Sequence, residues 1–394
     1  MAKTLVVEPD ETPTKIPFLR GILTRSLQEV GLSFDEAYSL ASTVRDELSE
    51  TAEITTDELR STVLKHMTDY GPTVVQRYQH PVSAPGTVLV RDAAGHTTQF
   101  SREQHRRILE SSGLSYEEST AVTTTISGHM MERNITEIRS RDLGLLTYRY
   151  LRITRGPDVA RRYLALVDYL RGTRPLVLLM GGAPGTGKSA VATEIAHRLE
   201  IARTQSTDLL REVMRMMIPE RLVPVLHRSS YDAWQALFEG AALGDNAETL
   251  VVDGYRAQAK LLSVPCEAVI RRSLREQTSV LVEGVHVQKS LIDRIPTESE
   301  PIVILIMLSV LNPAYLRDRF RGRGQQIDKR RAERYLQHFD EIWRLQSYLL
   351  SEADRGQVPI IVNNNKEQVI RDIMTVVVDA LIDRLDAAPT EVFT

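Results

Sequence analysis

An apolar run, Leu176 to Met180, leads into Gly182-Ala183-Pro184-Gly185-Thr186-Gly187-Lys188-Ser189 and then into the helix-forming stretch Ala190-Val191-Ala192-Thr193-Glu194-Ile195-Ala196. Few folds accept that order. G-x-x-x-x-G-K-S between a strand and a helix is the phosphate-binding loop of a parallel α/β sheet. The spelling follows from the chemistry. Glycines let successive backbone N–H groups point inward at phosphate oxygens, and the next helix turns the positive end of its dipole toward the same anion. Gly182 through Ala190 are therefore the expected ATP contacts. Lys188 supplies a mobile cation for the β- and γ-phosphates, and Ser189 a hydroxyl for the Mg²⁺ that bridges them. ATPases, GTPases and kinases share the loop, so it indicates a nucleoside triphosphate and does not decide the reaction.

Further apolar runs occur at Ala202 to Gln205, Ser279 to Val282, Ile302 to Leu308 and Pro359 to Val362, with helical stretches between them. Continuous apolar segments separated by helices predict a parallel sheet covered on both faces, an α/β P-loop domain over residues 175–394. The most apolar stretch, Ile302 to Leu311, spans about half of the roughly 20 residues a membrane helix needs. It reads as a buried strand, and no membrane partner is expected.

Ser206-Thr207-Asp208 ends the second strand, and Leu209-Leu210-Arg211-Glu212-Val213-Met214-Arg215 follows as a helix. A carboxylate at the carboxyl end of a strand beside the loop lies where open α/β sheets bind ligands. Asp208 is thus the candidate to orient an acceptor hydroxyl and take its proton. Arg211 and Arg215, four residues apart, share a helix face that suits a phosphate or carboxylate. A second reading stays open, in which Asp208 only caps the helix and the arginines pair with Glu212 and other surface acids. Thr278 to His286 reads as a buried strand ending in Glu283, where P-loop proteins carry the carboxylate that holds Mg²⁺ through water. His286 receives no role, and a zinc site there finds no companion ligands.

Tyr315-Leu316-Arg317-Asp318-Arg319-Phe320-Arg321-Gly322-Arg323-Gly324, followed by Lys329-Arg330-Arg331, holds more guanidinium groups than the local acids can pair. The run predicts a lid that closes over the phosphates and excludes water, with Arg319 and Arg323 joining Lys188 and Asp208 as catalytic candidates. A solvated basic helix or RNA-binding patch is the competing reading, although the aromatic interleaving of a single-strand binder is thin. Val358 to Asn365 reads as the last strand and its turn. Asn363 there either lies against the adenine or serves as a plain turn residue.

The first 165 residues contain an internal repeat. Pro17-Phe18, Gly31-Leu32-Ser33-Phe34-Asp35-Glu36 and Gly71-Pro72-Thr73-Val74 match, in order, Gln99-Phe100, Gly113-Leu114-Ser115-Tyr116-Glu117-Glu118 and Gly156-Pro157-Asp158-Val159. Each copy predicts a short apolar strand and turn followed by helices, with Ser33 and Ser115 as helix caps. The copies occupy residues 1–85 and 86–168, and a polar stretch from Tyr169 to Arg174 separates them from the sheet domain.

Composition narrows the partners. Lys and Arg number 49 against 52 Asp and Glu, a net charge of -3, so no global field draws the chain to nucleic acid. Cys266 is the one cysteine, which excludes an intrachain disulfide and a cysteine-rich zinc site. The opening residues lack the basic start and apolar core of an export signal, so a cytoplasmic location is expected.

Each repeat resembles the ATP-cone, a small regulatory nucleotide-binding module. Basic residues are sparse in the opening hairpin of the first copy, Val6-Val7-Glu8-Pro9-Asp10, whereas the second keeps Arg91-Asp92 before Gly95. A cone turned packing or homodimerisation module is the alternative. The ordered set of phosphate loop, Ser206-Thr207-Asp208 with its two arginines, Ser279 through His286 and the arginine-rich run is similar to the 2-phosphoglycerate kinase family. The resemblance reaches forward to Pro17-Phe18-Leu19-Arg20-Gly21-Ile22-Leu23. It implies ATP and Mg²⁺, a 2-phosphoglycerate acceptor whose 3-hydroxyl attacks the γ-phosphoryl group, and Arg211, Arg215, Tyr255 and Arg256 or Arg272 around the acceptor. A kinase for a nucleoside or sugar phosphate, a nucleotide-sensing protein without transfer activity, and a nucleic-acid end kinase are the rival readings.

Overall fold

The computed structural model describes residues 4–7, 15–29, 31–71, 74–75, 78, 88–238, 240, 244, 246–296, 300–323, 329–384 and 387–393. The chain forms two compact units, Met1–Val88 and Leu89–Thr394.

In the first unit β1 (Leu5–Val7) and β2 (Lys15–Pro17) make an antiparallel hairpin, followed by α1 (Arg20–Glu29) and α2 (Phe34–Glu47). Strand β3 (Glu53–Thr55) then pairs parallel to β1, ahead of α3 (Thr56–His66). The second unit opens on the same plan. Strands β4 (Leu89–Arg91) and β5 (Thr97–Gln99) precede α4 (Arg102–Ser111) and α5 (Tyr116–Glu132), and β6 (Glu137–Arg139) pairs parallel to β4 before α6 (Ser140–Thr154) and α7 (Pro157–Arg171).

The repeated Gly-Leu-Ser is a helix stop followed at once by a helix start. Gly31 and Gly113 take the left-handed φ values of +111° and +103°. The N–H groups of Leu32 and Leu114 then donate back to the carbonyls of Leu27 and Leu109, closing the preceding helix. Ser33 with Glu36, and Ser115 with Glu118, form reciprocal capping boxes on the next helix.

The remainder of the second unit is built on five parallel strands: β7 (Leu176–Gly181), β8 (Arg203–Ser206), β9 (Val280–Gly284), β10 (Ile302–Ser309) and β11 (Ile360–Val362). Their spatial order is β8-β9-β7-β10-β11. Around them lie α8 (Lys188–Arg198), α9 (Thr207–Met217), α10 (Ala247–Arg275), α11 (Pro313–Arg323), α12 (Lys329–Gln337), α13 (Phe339–Arg355), α14 (Lys366–Ile382) and α15 (Pro389–Val392). Alternation along β7 divides the core. Leu176, Leu178 and Met180 pack with Ile195 of α8 and Ile373 of α14, while Val177 and Leu179 pack with Cys266 and Ile270 of α10. Each such aliphatic side chain contributes about 1.5–3 kcal/mol on burial.

Helix α7 joins this core through Ala165 and Leu166, and Arg162 pairs with Asp379 of α14 at 3.2 Å. At the other end of the sequence Phe393 is buried, and a Cβ added to Gly144 of α6 would lie 2.5 Å from its ring. Arg171 Nη1 donates to the carbonyl of Val392 at 2.9 Å. Residues 389–393 thereby pack on α6 and α7 of this unit. No helix among the described residues is long and apolar enough to cross a membrane.

Candidate active site

The loop after β7 takes its shape from three glycines. Gly182, Gly185 and Gly187 adopt φ of +146°, +89° and +88°, and Gly187 is the residue before α8. A Cβ on Gly187 would lie 2.6 Å from the side-chain nitrogen of Asn363, so only glycine fits. Thr186 Oγ1 donates to the carbonyl of Ala183 at 2.9 Å, and Lys188 Nζ reaches the same carbonyl at 2.9 Å. Ala190 lies in the exposed first turn of α8.

Asn363 and Arg319 brace the loop. The Asn363 amide donates to the carbonyl of Thr186 at 2.7 Å. Arg319 Nη1 donates to that carbonyl at 3.2 Å, and Nη2 donates to the backbone and side-chain oxygens of Asn363 at 2.9 and 3.1 Å. Its guanidinium stands 4.7 Å from the centroid of the Tyr315 ring. Arg319, expected over the transferring phosphoryl group, is bonded instead to the loop carbonyl of Thr186 and to Asn363. The side chain of Arg323 lies outside the described residues.

Register explains how the carboxylates arrive. Glu283 is the Cα partner of Met180 on one side and of Ser206 on the other, so the ends of β7, β9 and β8 stand in a row. Ser189 Oγ donates to Glu283 Oε1 at 2.9 Å. A hydroxyl beside a buried carboxylate is a hard oxygen pair of the kind Mg²⁺ takes. No group of three or more His, Cys, Asp or Glu able to hold a metal exists among the described residues.

Directly before these groups opens a cavity of about 370 Å³. Lys188, Ser189 and Glu283 line one side of it, and Asp208, Arg211 and Arg215 another. Ser206, not Asp208, caps α9: its hydroxyl accepts the Asp208 N–H at 3.2 Å, and Asp208 is one of the residues that line the cavity. The arginines divide their donors. Arg211 Nη1 donates to the carbonyls of Leu226 and Arg228 at 3.2 and 2.9 Å, and Nη2 to Glu212 at 3.1 Å. Arg215 pairs with Glu212 at 2.7 Å. Both readings of this helix are thus partly present, a basic face on the cavity and a pairing with Glu212.

Several lining residues were not singled out in the sequence, four of them polar groups at the acceptor side. Ser229, Ser230 and Tyr231 come from an irregular segment, and Arg334 comes from α12. Arg334 Nη2 donates to Oδ2 of the buried Asp232 at 3.0 Å, which anchors a guanidinium at the rim. Its position three residues past Arg331 in a basic helix was the one available hint.

Three expected acceptor residues do not line the cavity. Tyr255 is fully buried, its hydroxyl donating to the carbonyl of Val285 at 2.9 Å, and burial pushes its pKa well above the ordinary value. Arg256 donates to the Tyr348 hydroxyl at 3.0 Å and stacks over that ring. Arg272, 73% exposed, pairs with Glu276 on its own helix at 3.1 Å. His286 is buried below the cavity, and desolvation lowers its pKa to about 4, so the ring is neutral.

No family model matches the chain. Among the proteins it is similar to are three archaeal ones that carry one name. The 2-phosphoglycerate kinase of Pyrococcus furiosus is 31% identical over 284 residues, 72% of this chain and 91% of that protein. That of Methanocaldococcus jannaschii is 32% identical over 294 residues, 75% of this chain and 92% of its own length. That of Thermococcus kodakarensis is 32% identical over 275 residues, with 70% and 91% covered.

Proposed function

The chain belongs to the 2-phosphoglycerate kinase family, and on that premise we propose that it transfers the γ-phosphoryl group of ATP to the 3-hydroxyl of 2-phosphoglycerate, giving 2,3-bisphosphoglycerate and ADP. One observation supports the assignment of residues above the others: a single cavity is lined by the loop lysine, the Ser189–Glu283 pair, Asp208 and two arginines.

The nucleotide occupies the loop, its phosphates accepting from backbone N–H groups and from the start of α8. Lys188 swings from the Ala183 carbonyl to the β- and γ-oxygens. Ser189 and Glu283 would hold Mg²⁺, which would supply charge neutralisation for those phosphates. The acceptor lies in the cavity with its phosphate and carboxylate toward Arg215, Arg334 and the Ser229–Ser230 hydroxyls. Its 3-hydroxyl points at Asp208. As the hydroxyl oxygen bonds to the γ-phosphorus, its proton passes to Asp208, and the bond to the β–γ bridging oxygen breaks to release ADP.

Transfer of label from γ-labelled ATP to 2-phosphoglycerate, beside 3-phosphoglycerate and with Lys188→Ala as control, tests the proposal. Labelled bisphosphoglycerate from the wild-type protein is expected. ATP hydrolysis that ignores both acceptors would sink it.

The repeats at 1–85 and 86–168 fit ATP-cone-like modules, supported by their shared strand order, β2-β1-β3 and β5-β4-β6. In the second copy Arg91 spends its charge on Glu137 at 2.7 Å, which favours packing over nucleotide capture there.

A further inference from the structure

Beneath the acceptor cavity three buried polar side chains form a line that the mechanism above does not use. Thr207 and Gln258 are fully buried, and His286 is 4% exposed. His286 Nδ1 lies 3.1 Å from Thr207 Oγ1, and Nε2 lies 2.8 Å from Gln258 Oε1. The Gln258 amide nitrogen donates in turn to the carbonyls of Val225 and Arg228, at 2.5 and 3.0 Å.

Donor counting gives the line a direction. The two carbonyls accept only, so the amide nitrogen must face them and the amide oxygen must face the imidazole. That oxygen also only accepts, so Nε2 carries the ring proton. Nδ1 is left to accept, and the single hydroxyl proton of Thr207 is committed to it. The chain runs Thr207 to His286 to Gln258 to the backbone of 225–228, each link satisfied once. The neutral imidazole required here is the form that its burial favours.

The two ends of this line carry its meaning. Thr207 immediately precedes Asp208. A Cβ on Gly284, the residue after Glu283, would lie 1.8 Å from Thr207 Oγ1, so the end of β9 and the start of α9 are in direct contact. At the far end, the short helical turn Pro224–His227 has no side-chain cap, and the segment leads directly into Ser229, Ser230 and Tyr231. The Arg228 carbonyl accepts from Gln258 and from Arg211 together. The segment that leads into Ser229–Tyr231 is therefore fastened to the start of α9 by one imidazole and one amide, beside the bonds that Arg211 of the same helix makes to the carbonyls of Leu226 and Arg228.

We propose that His286 and Gln258 are positioning residues that set the distance between Asp208 and the Ser229–Tyr231 wall, and hence the fit of the anionic acceptor. The inference rests on the reading of this cavity as the acceptor site. The nucleotide loop is braced separately, by Asn363 and Arg319. Loss of the line is thus felt by the acceptor and not by ATP.

The test is steady-state kinetics of wild type, Thr207→Ser, Thr207→Val, Gln258→Met and the Thr207→Val/Gln258→Met double variant, each checked by thermal melting. Thr207→Ser keeps the hydroxyl and is expected to keep the wild-type KM for 2-phosphoglycerate. Thr207→Val and Gln258→Met are each expected to raise that KM, by up to about a hundredfold for a displacement of about 1 Å, with the KM for ATP unchanged within about twofold. The double variant is expected to cost little more than either single one, because both act through His286. If Gln258→Met does not fold, the Thr207→Ser and Thr207→Val pair decides alone. Equal acceptor KM for Ser and Val at 207, or a parallel rise in the KM for ATP, would overturn the proposal while leaving the kinase reading intact. Absence of acceptor-dependent turnover in the wild type would overturn both.

Discussion

Ser189 on the first turn of α8 and Glu283 at the end of β9 are joined by a 2.9 Å hydrogen bond, although 94 residues separate them in sequence. The pair is the expected seat of the cation, and it gives the first prediction. Glu283→Gln keeps the size and the bond to Ser189 but removes the charge. The Mg²⁺ concentration for half-maximal rate should rise about 10–100-fold, the range found when outer-sphere metal partners are changed. A titration of rate against Mg²⁺ that superimposes on wild type would remove Glu283 from the metal site.

Gly187→Ala should abolish nucleotide binding out of proportion to its size. The new methyl would meet Asn363 at 2.6 Å while the backbone holds a left-handed φ of +88°. The conformational term alone costs about 1–2 kcal/mol, and relief would displace the Thr186 carbonyl that Asn363 holds. Isothermal titration with ATP checks this, and wild-type affinity would contradict the account of the loop.

Arg215→Ala and Arg272→Ala separate the helix face on the cavity from one that is not. Arg272 is exposed and paired within its own helix, so its loss should leave the acceptor KM unchanged and shift stability by no more than about 0.5 kcal/mol. Arg215→Ala should raise the acceptor KM. The reverse pattern would move the acceptor to the other side of α10.

Two buried histidines make the second unit acid-sensitive. His105 lies between the hydroxyls of Thr123 and Thr147, each at 3.0 Å, and burial lowers its pKa to about 4, as it does for His286. In the unfolded chain each returns to about 6.5. Between these values the unfolded form binds the proton and the folded form does not, so stability falls as pH falls. The contribution is complete above pH 6.5 and lost progressively toward pH 4, amounting to roughly 2 kcal/mol for each histidine by pH 5. Urea unfolding at pH 7.5 and pH 5 measures it. Flat stability across that interval would show that these rings are solvated.

The middle of the sheet was legible in the sequence because β7, β9 and β10 are buried on both faces and are apolar almost throughout, whereas the edge strand β8 reads Arg-Thr-Gln-Ser and carries little such signal. The expected run at Leu176 to Met180 is the strand Leu176–Gly181, and that at Ile302 to Leu308 is Ile302–Ser309. The doubled Gly-Leu-Ser was equally visible, since helix stops and starts demand particular residues. The acceptor wall was not. Ser229 to Tyr231 have no periodicity, and only the fold brings them opposite Asp208. Tyr255 and Arg256 shared a segment with Gln258, but a 29-residue helix touching several neighbours presents no single inner face. Arg211 shows a further limit: a guanidinium satisfies backbone carbonyls as readily as a ligand anion, and sequence does not reveal which arrives first.

The tuck of Phe393 against Gly144 bears on how the protein is made. During synthesis the stretch from β4 to α7 leaves the ribosome early, yet one of its packing partners is supplied only when residues 389–393 have been added. Its last apolar surface must wait, covered or chaperoned, while the intervening sheet is translated. A chain that stops before that point would leave the face of Gly144 without the Phe393 ring that covers it.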